Sequence, residues 1–141
     1  VTGAANQSHV GGRPEILFLC VHNAGRSQMA AAFARKIGGP RIVVHSAGSD
    51  PGESLNPAVV EAMLERGINI SNEVPTRLTE SMGLSADVVV TMGCGDACPV
   101  YLGKRYVDWE LADPRGKSVD EVRVIRDDIE QRVSALIRDL L

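Results

Sequence analysis

"ILFLCVHNAGRSQMAAAFARK", residues 16–36, decides the fold. An apolar run reaches a cysteine and crosses a short polar loop. From Arg26 the chain turns alanine-rich, with Met29, Ala30, Phe33 and Ile37 at helical spacing. Extended back to Glu15, the run to Cys20 predicts a strand buried on both faces, as strands of parallel sheets are. The rest of the chain repeats the alternation. "RIVVHSAG" (41–48) predicts a second strand, and Pro57 opens a helix through Val60, Met63 and Leu64 that ends at Gly67. "ADVVVTM" (86–92) and "KRYVDWEL" (104–111) predict the third and fourth strands. Residues 118–141 form a long amphipathic helix with Val122, Ile125, Ile129, Val133, Leu136 and Leu140 on one face. The expected architecture is α/β, a four-stranded parallel sheet flanked by helices on both faces. Such folds bind ligands at the carboxyl ends of their strands. Cys20, Ser46, Cys94 and Asp113 all lie at or just past predicted strand ends, on one edge.

The bulk numbers narrow the classes. A length of 141 residues, 44% hydrophobic and 23% charged, suits one globular domain over 15–141 behind a loose glycine-rich tail at 1–14. The tail lacks the charged start and apolar centre of a signal peptide, and no apolar run is long enough to span a bilayer. A net charge of −3 gives no broad attraction for nucleic acid or an anionic membrane, so any anion site must be local. Three cysteines argue against a secreted disulfide framework, which makes a reducing cytoplasm the expected compartment.

The loop Val21, His22, Asn23, Ala24, Gly25, Arg26, Ser27 places Arg26 six residues after Cys20. Cys20 could be core filler at a strand end. The setting favours a nucleophile: Asn23 and Gly25 tolerate left-handed backbone, and a helix begins directly afterwards, so successive amides can form an anion-binding nest. A thiol facing those dipoles and Arg26 is stabilised as thiolate. The guanidinium can grip two oxygens of a tetrahedral oxyanion, and Ser27 can donate to the sulfur. His22 reads as a loop side chain, because a thiolate made by its own loop needs no general base. His9 reads as exposed and His45 as structural. Asp113-Pro114 fits an ordinary turn, yet beside Cys20 it also fits a general acid that protonates a departing oxygen. Cys94 and Cys98 share the loop after the third strand. A zinc site would need two further ligands, and no other Cys or His lies nearby in sequence. Two inert cysteines or a redox pair trading disulfides with Cys20 remain.

At these residues the chain resembles the low-molecular-weight protein tyrosine phosphatase superfamily, through "LFLCVHNAGRSQMA", "SAGS" and the Asp-Pro pair. Within it the chain is similar to the thiol-dependent arsenate reductases, which carry two further cysteines where Cys94 and Cys98 stand. The resemblance implies a three-layer fold and arsenate as substrate. It also implies catalysis by Cys20, Arg26 and Asp113 and a relay in which Cys94 acts before Cys98. Thioredoxin is the implied external reductant, with no tightly bound cofactor and no metal. The separation of Cys94 and Cys98 is tighter than in the best-known members. Arg115 stands where the phosphatases usually have an aromatic. Some reductases hold potassium near this loop. Asn23 and Ser46 match that set, but Ala31 and Asn69 stand where it has carboxylates, so no ion is expected. Two rivals remain: a tyrosine phosphatase whose extra cysteines protect Cys20, and a non-catalytic oxyanion or redox sensor.

Overall fold

The computed structural model describes residues 12–93, 100, 101 and 103–141. Residues 1–11 of the expected tail lie outside that set, as do Cys94 and Cys98. Four parallel strands, β1 (Glu15–Cys20), β2 (Val43–Gly48), β3 (Val88–Thr91) and β4 (Arg105–Asp108), lie in the order β2-β1-β3-β4. Their register aligns Cys20 with Gly48 and Leu19 with Thr91, so β1 delivers Cys20 to the middle of the carboxyl edge.

Every residue of β1 is buried, because strands flank it and side chains cover both its faces. Alternation sends Ile16, Phe18 and Cys20 into the larger core, under α1 (Arg26–Gly38), α2 (Pro57–Leu64) and α4 (Val119–Leu140). Leu17 and Leu19 face the other way, against Ala47, Ala86 and Val89, with Leu78, Met82 and Tyr106 packed over them. Met82 of that second layer comes from α3 (Glu80–Ser85), which the sequence pattern did not predict. Among the described residues no helix is long and apolar enough to cross a membrane.

Caps set the helix starts. Asn56 accepts from the Ala58 amide just ahead of Pro57, and Ser118 and Glu121 form a reciprocal capping box at α4. The faces differ from expectation in places. The buried residues of α2 are Val59, Ala62 and Met63, whereas Leu64 is exposed and Val60 only half-buried. On α4, Ile137 is buried and Leu140 half-buried, and Ile37 of α1 is exposed. The second strand starts at Val43, because residues 39–41 close into a 3-10 turn around Pro40. Both β3 and β4 are shorter than the apolar runs that announced them.

Charged side chains tie α2 to α4. Arg126, buried on the core side, donates to the Ala62 carbonyl at 2.9 Å and to Glu65 at 2.7 Å, while Arg123 donates to the other Glu65 oxygen at 2.6 Å. Hydrogen bonds from Arg123 and then Arg126 lower the Glu65 carboxyl from 4.5 to about 2. A carboxyl lowered by folding stabilises the native state above its unfolded value and loses that contribution as acid protonates it. The thermal midpoint should therefore fall as pH drops from about 4.5 towards 2. Glu65→Gln should flatten that part of the profile in a melting series; an unchanged acid slope would place the sensitivity elsewhere.

Candidate active site

The turn from β1 into α1 is organised by its carbonyls. Those of Cys20, Val21, His22 and Ala24 accept from the amides of Ser49, Asp50, Gly52 and Asn56, at 3.4, 2.8, 2.9 and 3.0 Å. No peptide here is cis, so each N–H points opposite to the carbonyl it shares a plane with. The amides of Val21, His22, Asn23 and Gly25 are thereby turned into the loop. Asn23, in left-handed backbone at φ 52°, brings its own N–H to within 3.2 Å of the Cys20 sulfur. Inward amides of this kind are what an anion-binding nest requires. Its orienting partner, the segment after β2, was missed by sequence reasoning, because backbone donors leave no residue signature.

A chain of side-chain hydrogen bonds fixes the polarity at sulfur. The Thr76 amide and the Gln28 side-chain amide both donate to the Asn23 side-chain carbonyl, at 2.8 and 3.1 Å. The Asn23 amide group must then donate to Ser27 Oγ, 2.6 Å away. With Oγ so occupied as acceptor, the hydroxyl proton is free to point at Cys20 Sγ, 2.8 Å distant. The sulfur thus faces two hydrogen-bond donors. Gln28, 2% exposed, and Thr76 join the site unannounced. A buried glutamine on an alanine-rich helix face was the available signal.

Arg26 opens α1 and is 7% exposed. Its guanidinium donates to the Leu111 carbonyl at 3.3 Å and lies 3.8 Å from an Asp113 oxygen. Asp113 falls five residues beyond the end of β4, farther than the longer predicted strand implied, and its side chain is half-exposed. One of its oxygens accepts from the Arg115 amide at 3.0 Å. Pro114 is buried because Gly25 leaves room for it: a Cβ on Gly25 would sit 2.7 Å from the proline ring. Gly25 has φ −146°, so close approach to Pro114, and not left-handed backbone, explains the glycine.

Cys20, His22, Arg26, Asp50, Asp113 and Arg115 are among the residues lining one cleft of about 530 Å³. His22 borders it while donating from Nδ1 to the Asp50 carbonyl at 3.0 Å, which makes it a loop-fixing side chain. His45 pairs with the buried Glu15 at 3.2 Å, away from this cleft. Ser46 lies within β2, opposite Phe18, and is not part of the lining, which corrects its placement at a strand end. Ala31, where a potassium ligand would stand, is fully buried in the larger core. Among the described residues no group of three or more His, Cys, Asp or Glu could hold a metal ion.

A sulfur held under hydrogen-bond donors, a guanidinium at the same mouth and a carboxyl facing it equip the cleft to displace an oxygen from a tetrahedral oxyanion. The chain belongs to the low molecular weight phosphotyrosine protein phosphatase family, whose profile matches residues 15–141. A Halobacterium salinarum protein assigned as an arsenate reductase is 41% identical over 125 residues, covering 82% of this chain and 85% of its own. The glutaredoxin arsenate reductase of Synechocystis is 33% identical over 126 residues, covering 87% and 95%. Among solved structures, the thioredoxin-dependent arsenate reductase of Corynebacterium glutamicum superposes with a TM-score of 0.79 at 40% identity. That match covers 98% of this chain, which spans 65% of the corynebacterial one.

Proposed function

We propose that this chain reduces arsenate to arsenite in a reducing cytoplasm, using Cys20 as nucleophile and returning to its starting state through a thiol–disulfide protein, thioredoxin in the first instance. The observation that carries the reading is the Cys20 sulfur facing the Asn23 amide and the Ser27 hydroxyl at the mouth occupied by Arg26. Relatives named as arsenate reductases supply the substrate.

Arsenate settles against the inward amides and Arg26. The Cys20 thiolate attacks arsenic, an S–As bond forms, and the displaced oxygen leaves as water with a proton from Asp113. Cys94 thiolate then attacks the Cys20 sulfur. The S–As bond breaks with its electron pair going to arsenic, so As(V) becomes As(III) and a Cys20–Cys94 disulfide remains. Cys98 attacks Cys94, freeing Cys20 and leaving a Cys94–Cys98 disulfide, which the external dithiol reduces. Two thiols become one disulfide per arsenate, matching the two electrons arsenic accepts. The order of the two loop cysteines follows the family resemblance.

The test is arsenite production by the purified protein with thioredoxin, thioredoxin reductase and NADPH, set against hydrolysis of para-nitrophenyl phosphate. Brisk ester hydrolysis without arsenite would convert the reading to a phosphatase. Asp113→Asn should slow the chemical step about a hundred- to ten-thousand-fold while phosphate still binds. A native turnover rate for that variant would leave Asp113-Pro114 an ordinary turn.

A further inference from the structure

The clamp itself depends on the residue beside it. A Cβ at Gly93 would overlap Arg26 Nη1 and sit 3.2 Å from Cζ and 3.4 Å from Nη2, so Gly93 borders the Nη1 end of the guanidinium and leaves no room there for a side chain. The Leu111 carbonyl accepts from Nη1 and Asp113 lies near Nη2. Gly93 is also placed rigidly. Met92, fully buried, donates its amide to the Leu19 carbonyl at 2.8 Å, extending the sheet one step past β3 beside Cys20. The chain then turns at Gly93 with φ +80°, a conformation side-chain-bearing residues rarely adopt. Sheet and glycine together keep open the space that the Nη1 end of the guanidinium occupies.

We infer that Gly93 is a positioning residue for oxyanion binding, its missing side chain letting the Arg26 guanidinium take the place from which its fork meets two oxygens of the substrate. Two-oxygen recognition depends on that placement, and a displacement of about 1 Å in such a clamp can cost on the order of a hundredfold. The inference rests on Arg26 as the oxyanion clamp and is independent of whether arsenate is turned over.

Gly93→Ala should weaken inorganic phosphate binding, measured by calorimetric titration, about ten- to a hundredfold. Gly67→Ala is the control: Gly67 has the same backbone strain at φ +74°, but its Cβ would meet nothing within 4 Å. It should bind phosphate as the native protein does. Thermal midpoints complete the cycle. Gly93→Ala should cost more than Gly67→Ala in the native background and no more than Gly67→Ala when Arg26→Ala has removed the guanidinium. If Gly93→Ala alone fails to fold, recovery of the fold in the Arg26→Ala background still locates the clash at Arg26. Native phosphate affinity in Gly93→Ala, equal losses in the two glycine variants, or no relief from Arg26→Ala would each overturn the inference. A protein that binds phosphate as expected but yields no arsenite would instead count against the proposed reaction alone.

Discussion

Cys20→Ser should give a protein that folds, binds phosphate and produces no arsenite. A serine hydroxyl fits the same corner and can meet the Asn23 amide and Ser27, so the cleft survives. It is not ionised at neutral pH, and removing a nucleophile from an enzyme of this general kind costs about a millionfold in rate. For a reductase the loss is deeper. An oxygen bonded to arsenic offers no sulfur for a second thiolate to attack, so no disulfide forms and no electron pair reaches arsenic. Phosphate titration beside an arsenite assay separates this outcome from unfolding. Measurable arsenite from Cys20→Ser would remove the cysteine from the centre of the mechanism.

The second large effect divides the two loop cysteines. Cys98→Ser should complete one turnover, releasing one arsenite per protein and stopping with Cys20 joined to Cys94. Cys94→Ser should stop earlier, before arsenite is released efficiently. The intact protein after one equivalent of arsenate should hold Cys94 bonded to Cys98 and Cys20 free. A disulfide requires α-carbons about 4.4–6.8 Å apart, so Cys94 must meet each partner in turn. Peptide mapping of the oxidised forms reads the bonding directly. Native cycling by both serine variants with thioredoxin would end the relay and favour the phosphatase.

The nucleophile and its arginine were legible because they sit in one local motif between a continuous apolar strand and a helix. The strand itself was read to the residue, Glu15–Cys20. What orients the motif was not legible. Thr76 reaches Asn23 from 53 positions away, and the carbonyls of the loop are met by amides of residues 49–56, whose donors are the same in every sequence. Helix α3 escaped because it is six residues long and carries Gly83 in its middle, a residue that argues against a helix from sequence. There the Tyr101 ring lies against the helix where a side chain would project. The inner face of α2 was misread because Ala62 carries little hydrophobic signal while exposed Leu64 carries much. Arg26 was recognised by its spacing, but the glycine beside it belongs to a different strand's exit and is marked only by geometry.

The burial of Cys20, at 2% exposure, has a bearing on how this thiol meets electrophiles in general. It lies at the bottom of a cleft whose entrance carries Arg26 and inward amides. A reagent must pass that collar before it can alkylate. Iodoacetate, with its carboxylate, should be drawn by Arg26 and those amides ahead of iodoacetamide, which is of nearly the same size and uncharged. Such a cleft would rank covalent modifiers by charge before reactivity. Chemical labelling of this cysteine would then be a form of affinity labelling, with free phosphate as the expected protectant.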